Sequence, residues 1–304
     1  MNTESVLVTG TSSGIGRATA LALAAEGYRV FAGVRRNTDG ESLVNSAHLL
    51  RGQIVPVILD VTDAASIAHA AATVARAVGS RGLAGLVNNA GIGMTWPVEA
   101  IPLDELRWAY EVNVFGQVAV IQAFLPLLRA GAGRLINIGS IGDRLSLPFG
   151  APLISSKWAL ASITESLRLE LRPWGIHVVL IEPASIRTEA VDKVDADAKR
   201  VLSQMNDTDR RLYATAYESM TTRAMAREQH GSDPSVVARV VLRALTARRP
   251  RTRYLVGKDA YRLAFIARWV PDRLFDRIRI KLFGLPERFG SADHQTGPVI
   301  GALR

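Results

Sequence analysis

Short apolar runs alternate with stretches of helical periodicity from the start of the chain to about residue 256, and no other feature restricts the fold as much. The runs are Ser5–Thr9, Arg29–Val34, Gln53–Leu59, Gly85–Asn88, Arg134–Ile138, His177–Ile181 and Arg253–Val256. Between them lie Ile15–Glu26, Ser42–Leu50, Ala64–Val78, Leu103–Leu128, Leu153–Arg172 and Ser235–Ala247, with apolar residues at helical spacing. A strand returns parallel to its predecessor only through a long crossover, which a helix supplies. The pattern predicts an α/β fold of βαβ units, mainly parallel, with helices on both faces and right-handed crossovers. At 304 residues, 48% of them hydrophobic and 6% aromatic, the chain can bury a large core rich in Ala, Val and Leu.

Two regions depart from the alternation. Residues 184–233 are too long for a structureless loop in a compact domain. Val201, Leu202 and Met205, then Tyr213, Tyr217 and Met220, recur at helical spacing, so this stretch is expected to be a helical lid. Residues 258–304 form a C-terminal extension in which Leu263, Phe265, Ile266 and Trp269 precede Leu274, Phe275, Ile278, Leu282 and Phe283. These spacings predict amphipathic helices separated at Pro271.

The net charge is 37 − 28 = +9, and basic residues run from Arg248 through Arg288 to Arg304. Such a tail attracts nucleic acid or anionic lipid, or is a solvated face whose side-chain stems cover apolar surface. Intramolecular cover is the expectation; capping a pocket, blocking a subunit interface and resting on a membrane surface are the alternatives. No helix-turn-helix, finger or aromatic-interleaved basic strand accompanies the charge, which argues against nucleic acid. With no cysteine, neither a disulfide framework nor a thiolate metal site is available, and no metal is expected. Met1 leads into Val6-Leu7-Val8 without a basic n-region, and no apolar run approaches the roughly 20 residues of a bilayer span. The expected location is cytoplasmic.

The stretch Thr9-Gly10-Thr11-Ser12-Ser13-Gly14-Ile15-Gly16 follows the first strand and opens the first helix. Gly10 permits the sharp turn, Gly14 lets backbone approach a pyrophosphate, and Gly16 lets helix and strand pack closely. Gly10, Ser12, Ser13, Gly14, Ile15 and Gly16 are the candidate cradle, since free N–H groups and the helix dipole attract phosphate. The second strand ends Gly33-Val34-Arg35-Arg36, with no acid before Asp39. An acid there would hold a ribose 2′-hydroxyl; Arg35 suits a 2′-phosphate instead, with Ser13 adding a hydroxyl. NADP(H) is therefore expected ahead of NAD(H). The plain alternative is a pair of exposed loop arginines.

Asn88-Asn89-Ala90-Gly91 completes a set. With the glycine loop, Asp60, Asn113, Ser140, Lys157 and Pro183 through Thr188, it follows the order and rough spacing of the short-chain dehydrogenase/reductase family. The chain resembles in particular members acting on steroids, retinoids and other bulky apolar alcohols and ketones, over about residues 3 to 257. The resemblance implies one doubly wound Rossmann domain, residues 1–257, with a seven-stranded parallel sheet and substrate bound at its C-terminal edge. It implies that Asp60 and Val61 hold the adenine, and that Asn88, Ala90 and Gly91 contact the adenosine ribose. It implies that Lys157 binds the nicotinamide ribose, and that Pro183, Ile186 and Thr188 hold the carboxamide. Asn113 would keep a relay water and Ser140 the substrate oxygen, although Asn88, Asn113 and Ser140 have ordinary structural alternatives. Pairing through the helices at Leu103–Leu128 and Leu153–Arg172 would give a homodimer or tetramer.

In that family a tyrosine stands one helical turn before the lysine, so that phenol and ammonium share a face. Here the position holds Leu153, and no tyrosine occurs between Tyr110 and Tyr213. The expected proton source is therefore one of Ser140, Asp143, Ser156, Tyr213, Tyr217 or water at Lys157. Otherwise the reaction needs little acid, as for a conjugated double bond or an imine. The remaining alternative is an NADP(H)-binding protein that has lost its chemistry and acts through ligand or partner contact. Trp96, Leu147, Leu153 and Tyr217, with Met94, Leu145 and Phe149, are the candidate apolar substrate wall, the ordinary reading being core.

Overall fold

The computed structural model describes residues 4–188 and 190–285. The end of the extension, with Arg288 and Arg304, lies outside the described residues. The strands are β1 (Ser5–Val8), β2 (Arg29–Val34), β3 (Gln53–Ile58), β4 (Gly85–Asn88), β5 (Arg134–Ile138), β6 (His177–Pro183) and β7 (Arg253–Val256). They form one seven-stranded sheet in the order β3-β2-β1-β4-β5-β6-β7, every pair parallel. Chain direction across the sheet reverses between β1 and β4, where an open α/β sheet leaves a crevice for a ligand.

Alternation along the strands builds a core on each face. Val6 and Val8 of β1 join Val30 and Ala32 of β2 in one core, while Leu7 and Phe31 point into the other. The first core is closed by α1 (Gly14–Ala25), α2 (Asn37–Ser46) and α9 (Ser235–Thr246) through Leu23, Leu43 and Val241. The second is closed by α3 (Ala64–Val78), α5 (Gly116–Ala130) and α6 (Ala151–Glu170), with Val74 and Phe124 buried, while Ala109 of α4 (Leu103–Tyr110) packs with Met94 and Trp96 instead. Away from the edge strand β3, where Pro56 and Ile58 are exposed, both faces of the sheet are covered, which is why its central strands read as continuous apolar runs.

Most element bounds fall within two residues of the sequence reading, and three departures bear on the site. Helix α2 starts at Asn37, because Arg36 stays extended and Asp39 enters the first turn. Strand β6 runs on to Pro183, since Glu182 and Pro183 pair with Leu255 and Val256. The long helix is broken by a π-turn over Glu111–Phe115 that buries Asn113, and such bulges recur at functional sites. The composite helix Leu103–Ala130, mean hydropathy 1.4 in its best window, is long and apolar enough to cross a bilayer, contrary to the expectation of no such run. Half of that window is buried, and Val120, Phe124 and Leu128 lie in the second core, as in a core helix.

The lid is helical, comprising α7 (Ala190–Gln204) and α8 (Asp207–Gln229). The Asn206 side chain caps α8 by accepting from Asp209 N at 2.8 Å. The lid closes a third cluster in which Met205, Tyr217 and Met220 meet Met94 and Trp96. The extension forms α10 (Ala260–Trp269) and α11 (Asp272–Phe283), parted at Pro271. Intramolecular cover accounts for only part of it. Phe275 and Phe283 are buried, yet Tyr261, Phe265 and Trp269 stand in solvent.

Candidate active site

The glycine loop is held open by its own backbone. Gly10 has φ +67°, and a Cβ there would lie 2.8 Å from Ala90 Cα. A Cβ on Gly16 would lie 2.1 Å from Gly10 O, so the first turn of α1 and the loop cannot both stand with any larger residue. Thr9 Oγ1 accepts from Asn89 N and Ala90 N, both at 2.9 Å, and Asn89 Nδ2 donates to Thr9 O at 2.9 Å and Gly10 O at 3.1 Å. These bonds tie the ends of β1 and β4 together at the sheet crevice. Ser13 precedes α1 in an extended conformation and makes no capping bond, and the first turn holds no acid. The helix therefore presents its dipole and free N–H groups uncompensated, as an anion site requires. Ser12 is exposed, and Ile15 packs partly on the first core.

Across the crevice, a Cβ on Gly14 would meet Thr188 side-chain atoms at 3.2 Å, so the segment after β6 overlies the loop. Ile186 in that segment is buried and bridges to Ser232. Asp60 Oδ1 accepts from Thr62 N (2.9 Å) and Thr62 Oγ1 (2.7 Å), and Val61 packs in the second core. Beyond β2, Arg36 forks onto Asp39 through Nε (3.0 Å) and Nη2 (2.9 Å). Neighbouring Arg35 is exposed and has no partner among the described residues. The first acid after the strand is thus engaged, and one guanidinium stands beside the loop uncommitted.

Lys157, on α6, reaches back to the end of β5, donating from Nζ to Ile138 O at 3.0 Å. Burial lowers its pKa to about 8, against a smaller upward effect from Asp143. A Cβ on Gly91 would lie 3.1 Å from Asn113 Oδ1 and 3.6 Å from Lys157 Nζ, so three of the expected site residues converge. Asn113 is saturated: Oδ1 accepts from Ile92 N (2.9 Å), and Nδ2 donates to Ile92 O and Ser156 Oγ (both 3.0 Å). Ser156 Oγ donates to Leu153 O at 2.6 Å. Ser140 opens the connection from β5 to α6 and accepts from Gly142 N at 3.0 Å, which leaves its own hydroxyl proton unspent. Leu153 lies one helical turn ahead of Lys157, half-buried. Glycines fill the places where a dinucleotide would lie closest, and Asn88 Oδ1 is buried without a partner, its Nδ2 donating to Gln117 O at 3.0 Å. The crevice fits a nicotinamide dinucleotide.

A family description, short chain dehydrogenase, matches residues 4–199. The chain belongs to that family. It is 35% identical over 284 residues to the NADPH-dependent 3-dehydrocapnine reductase of Ornithobacterium rhinotracheale, covering 90% of this chain and 95% of that protein. To mouse (Mus musculus) retinol dehydrogenase 5 it is 33% identical over 279 residues, 90% of this chain and 86% of the other. Among solved structures, a short-chain dehydrogenase from Streptomyces avermitilis superposes with a TM-score of 0.70 at 29% identity, covering 93% of this chain and 96% of its own.

Beside the dehydrogenase crevice lies a buried ionic cluster that sequence reading did not reveal. Arg144 forks onto Glu182 through Nε (2.5 Å) and Nη2 (2.9 Å), and Arg253 reaches Glu182 (2.7 Å), Asp143 (2.9 Å) and Glu165 (3.0 Å). The side chains of Asp143 and Glu182 are wholly buried. Burial, then the hydrogen bond and charge of Glu182, raise Asp143 to about 8. Burial works to raise Glu182 too, but its bonds to Arg144, Asp143 and Arg253 hold it below the usual carboxylate range. Only Asp143 was visible as a candidate in the sequence. Its partners arrive from β6 and β7, and no local pattern signals them. Thr9 and Asn89 stood in the sequence motifs without a role of their own, and Gln117 was missed; its signal is polarity inside the apolar run of α5.

On the lid side, Trp96 and Tyr217 are wholly buried, with the Tyr217 hydroxyl paired to Thr95 Oγ1 at 2.8 Å and Trp96 Nε1 unpartnered. Phe149 packs edge-on to Tyr217 (5.6 Å) and adopts φ +58°, a conformation unusual for an aromatic residue. Leu147 and Phe149 are partly exposed beside this cluster. Tyr213 donates to Glu99 at the surface.

Proposed function

We propose that the chain is an NADP(H)-dependent oxidoreductase acting on a bulky apolar carbonyl or alcohol, or on a conjugated compound, with an altered proton supply. The observation that carries this reading is the convergence of Lys157, Gly91 and Asn113 at a crevice opened by Gly10, Gly14 and Gly16. The bound dinucleotide supplies or accepts the hydride. Lys157 holds its ribose through the ammonium N–H groups that Ile138 O leaves free, and Pro183, Ile186 and Thr188 hold the carboxamide. Asp60 and Val61 receive the adenine, with Asn88, Ala90 and Gly91 around its ribose. Arg35, unpaired beside the loop, receives the 2′-phosphate, and the 3-dehydrocapnine reductase relative is itself NADPH-dependent. NAD(H) lacks a matching acid here.

Ser140 directs its free proton at the substrate oxygen, and Asn113 fixes the lysine-bearing helix through Ser156. Partly exposed Leu147 and Leu153 touch an apolar substrate, while Trp96 and Tyr217 back that wall. Leu153 occupies the place of the family's phenol. Tyr213 and Tyr217 are committed to Glu99 and Thr95, and Ser156 to Leu153 O, which leaves Ser140, Asp143 and water at Lys157 as proton sources. Exposed Trp108, Phe115 and Trp158 on α4, the π-turn and α6 suit pairing of two or four copies in the cytoplasm.

Leu153→Tyr tests the reading. A positioned acid is worth about 10²–10⁴ in rate, so NADPH-dependent reduction of bulky ketones rises by at least about 10² in the variant. An unchanged or lower rate shows a site built for a different reaction. The absence of turnover with ketones, enones and imines by either protein, despite tight NADPH binding, favours the second reading, a binding protein without chemistry.

A further inference from the structure

Seventeen large apolar side chains are exposed among the described residues, and seven of them belong to α10 and α11. On α10, Tyr261, Phe265 and Trp269 are 64%, 65% and 66% exposed. At about 100° per residue they form one stripe roughly 80° wide. Arg262 and Arg268, both exposed, lie on its two margins. On α11, Leu274, Ile278 and Leu282 form a second exposed stripe, and each is immediately preceded by an exposed cation: Arg273, Arg277 and Lys281. From Lys258 to Lys281 the chain carries seven basic and three acidic residues, 7 − 3 = +4. Two of those acids are already engaged, Asp259 by Arg227 and Asp276 by Arg279.

We infer that α10 and α11 dock on the surface of an anionic lipid bilayer. Aromatic rings with a polar edge settle at the headgroup level, aliphatic side chains reach the acyl boundary, and flanking arginines pair with lipid phosphate. A second copy of the chain fits this face poorly. A two-fold interface sets a patch against itself, and Arg262 and Arg268 would then meet their own kind. Nucleic acid has no use for the aliphatic stripe of α11. Phe283 and Arg279, the latter donating to Ser146 O at 2.8 Å, anchor α11 to the lid cluster and to the segment before Leu147. The docking stands apart from the proposed chemistry and is read without turnover.

The test is flotation of the full chain with vesicles of phosphatidylcholine alone or mixed with phosphatidylglycerol. Partition onto the anionic vesicles exceeds that onto neutral ones by about tenfold or more and falls away at about 0.5 M salt. Phe265→Ser with Trp269→Ser, and separately Arg262→Glu with Arg268→Glu, each lower it by about tenfold or more, while NADPH binding stays as in the parent. Brominated lipid quenches the part of the tryptophan fluorescence that Trp269→Phe removes. The inference is overturned by a chain that stays unbound, by binding that both double variants retain, or by binding of DNA without vesicle binding. It is equally overturned if light scattering shows either double variant reducing an oligomer that never binds vesicles, or if removal of residues 286–304 creates binding that the full chain lacks.

Discussion

The two halves of the sheet solve the same problem, holding a site in place, by different physics. At β1 and β4 the positions are set by backbone. Gly10, Gly14 and Gly16 make room, and the Thr9–Asn89 bonds lock two strand ends together with neutral groups. At β5 to β7 the positions are set by charge: Arg253 draws together Asp143 and Glu182 from residues 110 and 71 positions away. Neutral short-range geometry tolerates changes of pH and salt but not of side-chain volume. A buried ionic cluster has the opposite sensitivities, because an uncompensated buried charge is costly while modest volume changes can relax.

The sharpest way to break this contrast is on the neutral side. Gly16→Val places side-chain atoms where Gly10 O already lies, 2.1 Å from the first added carbon. Loop and helix must separate, and NADPH affinity falls by at least about 10², roughly 3 kcal/mol or more. Calorimetric titration of NADPH reads it, and near-parental affinity would show that the loop is not the phosphate cradle. A smaller effect is expected from Arg35→Ala. Loss of charge-assisted hydrogen bonds costs about 1.5–3 kcal/mol, so the NADPH Kd rises about ten- to hundredfold while the NADH Kd hardly moves. Equal loss for both coenzymes would place the guanidinium on a shared phosphate rather than on the 2′-phosphate.

The same contrast explains what could be read without a structure. The neutral side was legible because its requirements are local: a glycine at a φ of +67° or beneath a carbonyl leaves a trace in a short window, and the strands carry apolar runs. Strand β6 was underestimated because Glu182 and Pro183 look like a strand end until β7 is seen to pair with them. Asp143 could be seen as an acid near Ser140, but Glu182 and Arg253 belong to other windows, and only the fold joins them. The extension was half legible. Its periodicity gave two helices, whereas which face turns outward depended on where α11 meets α8 and the lid cluster.

The remaining prediction concerns the ionic side and isolates one proton. Asp143 titrates near 8 in the folded chain and near its ordinary 3.8 when unfolded. Between those values the folded chain holds a proton that the unfolded chain has released. This group's contribution to stability is therefore complete below about pH 4 and is lost as pH rises through about 8. Lys157, lowered to about 8, acts in the opposite sense but only above that point, where the unfolded chain stays protonated longer. A window from about pH 5 to 7.5 therefore sees Asp143 nearly alone among these two. In Asp143→Asn the fall of Tm across that window flattens relative to the parent, at about 2–4 °C for each kcal/mol removed. Parallel Tm–pH curves for the two proteins would mean that Asp143 is already ionised when folded. The cluster would then be an ordinary buried salt-bridge network, and Asp143 would drop out as a proton source beside Ser140.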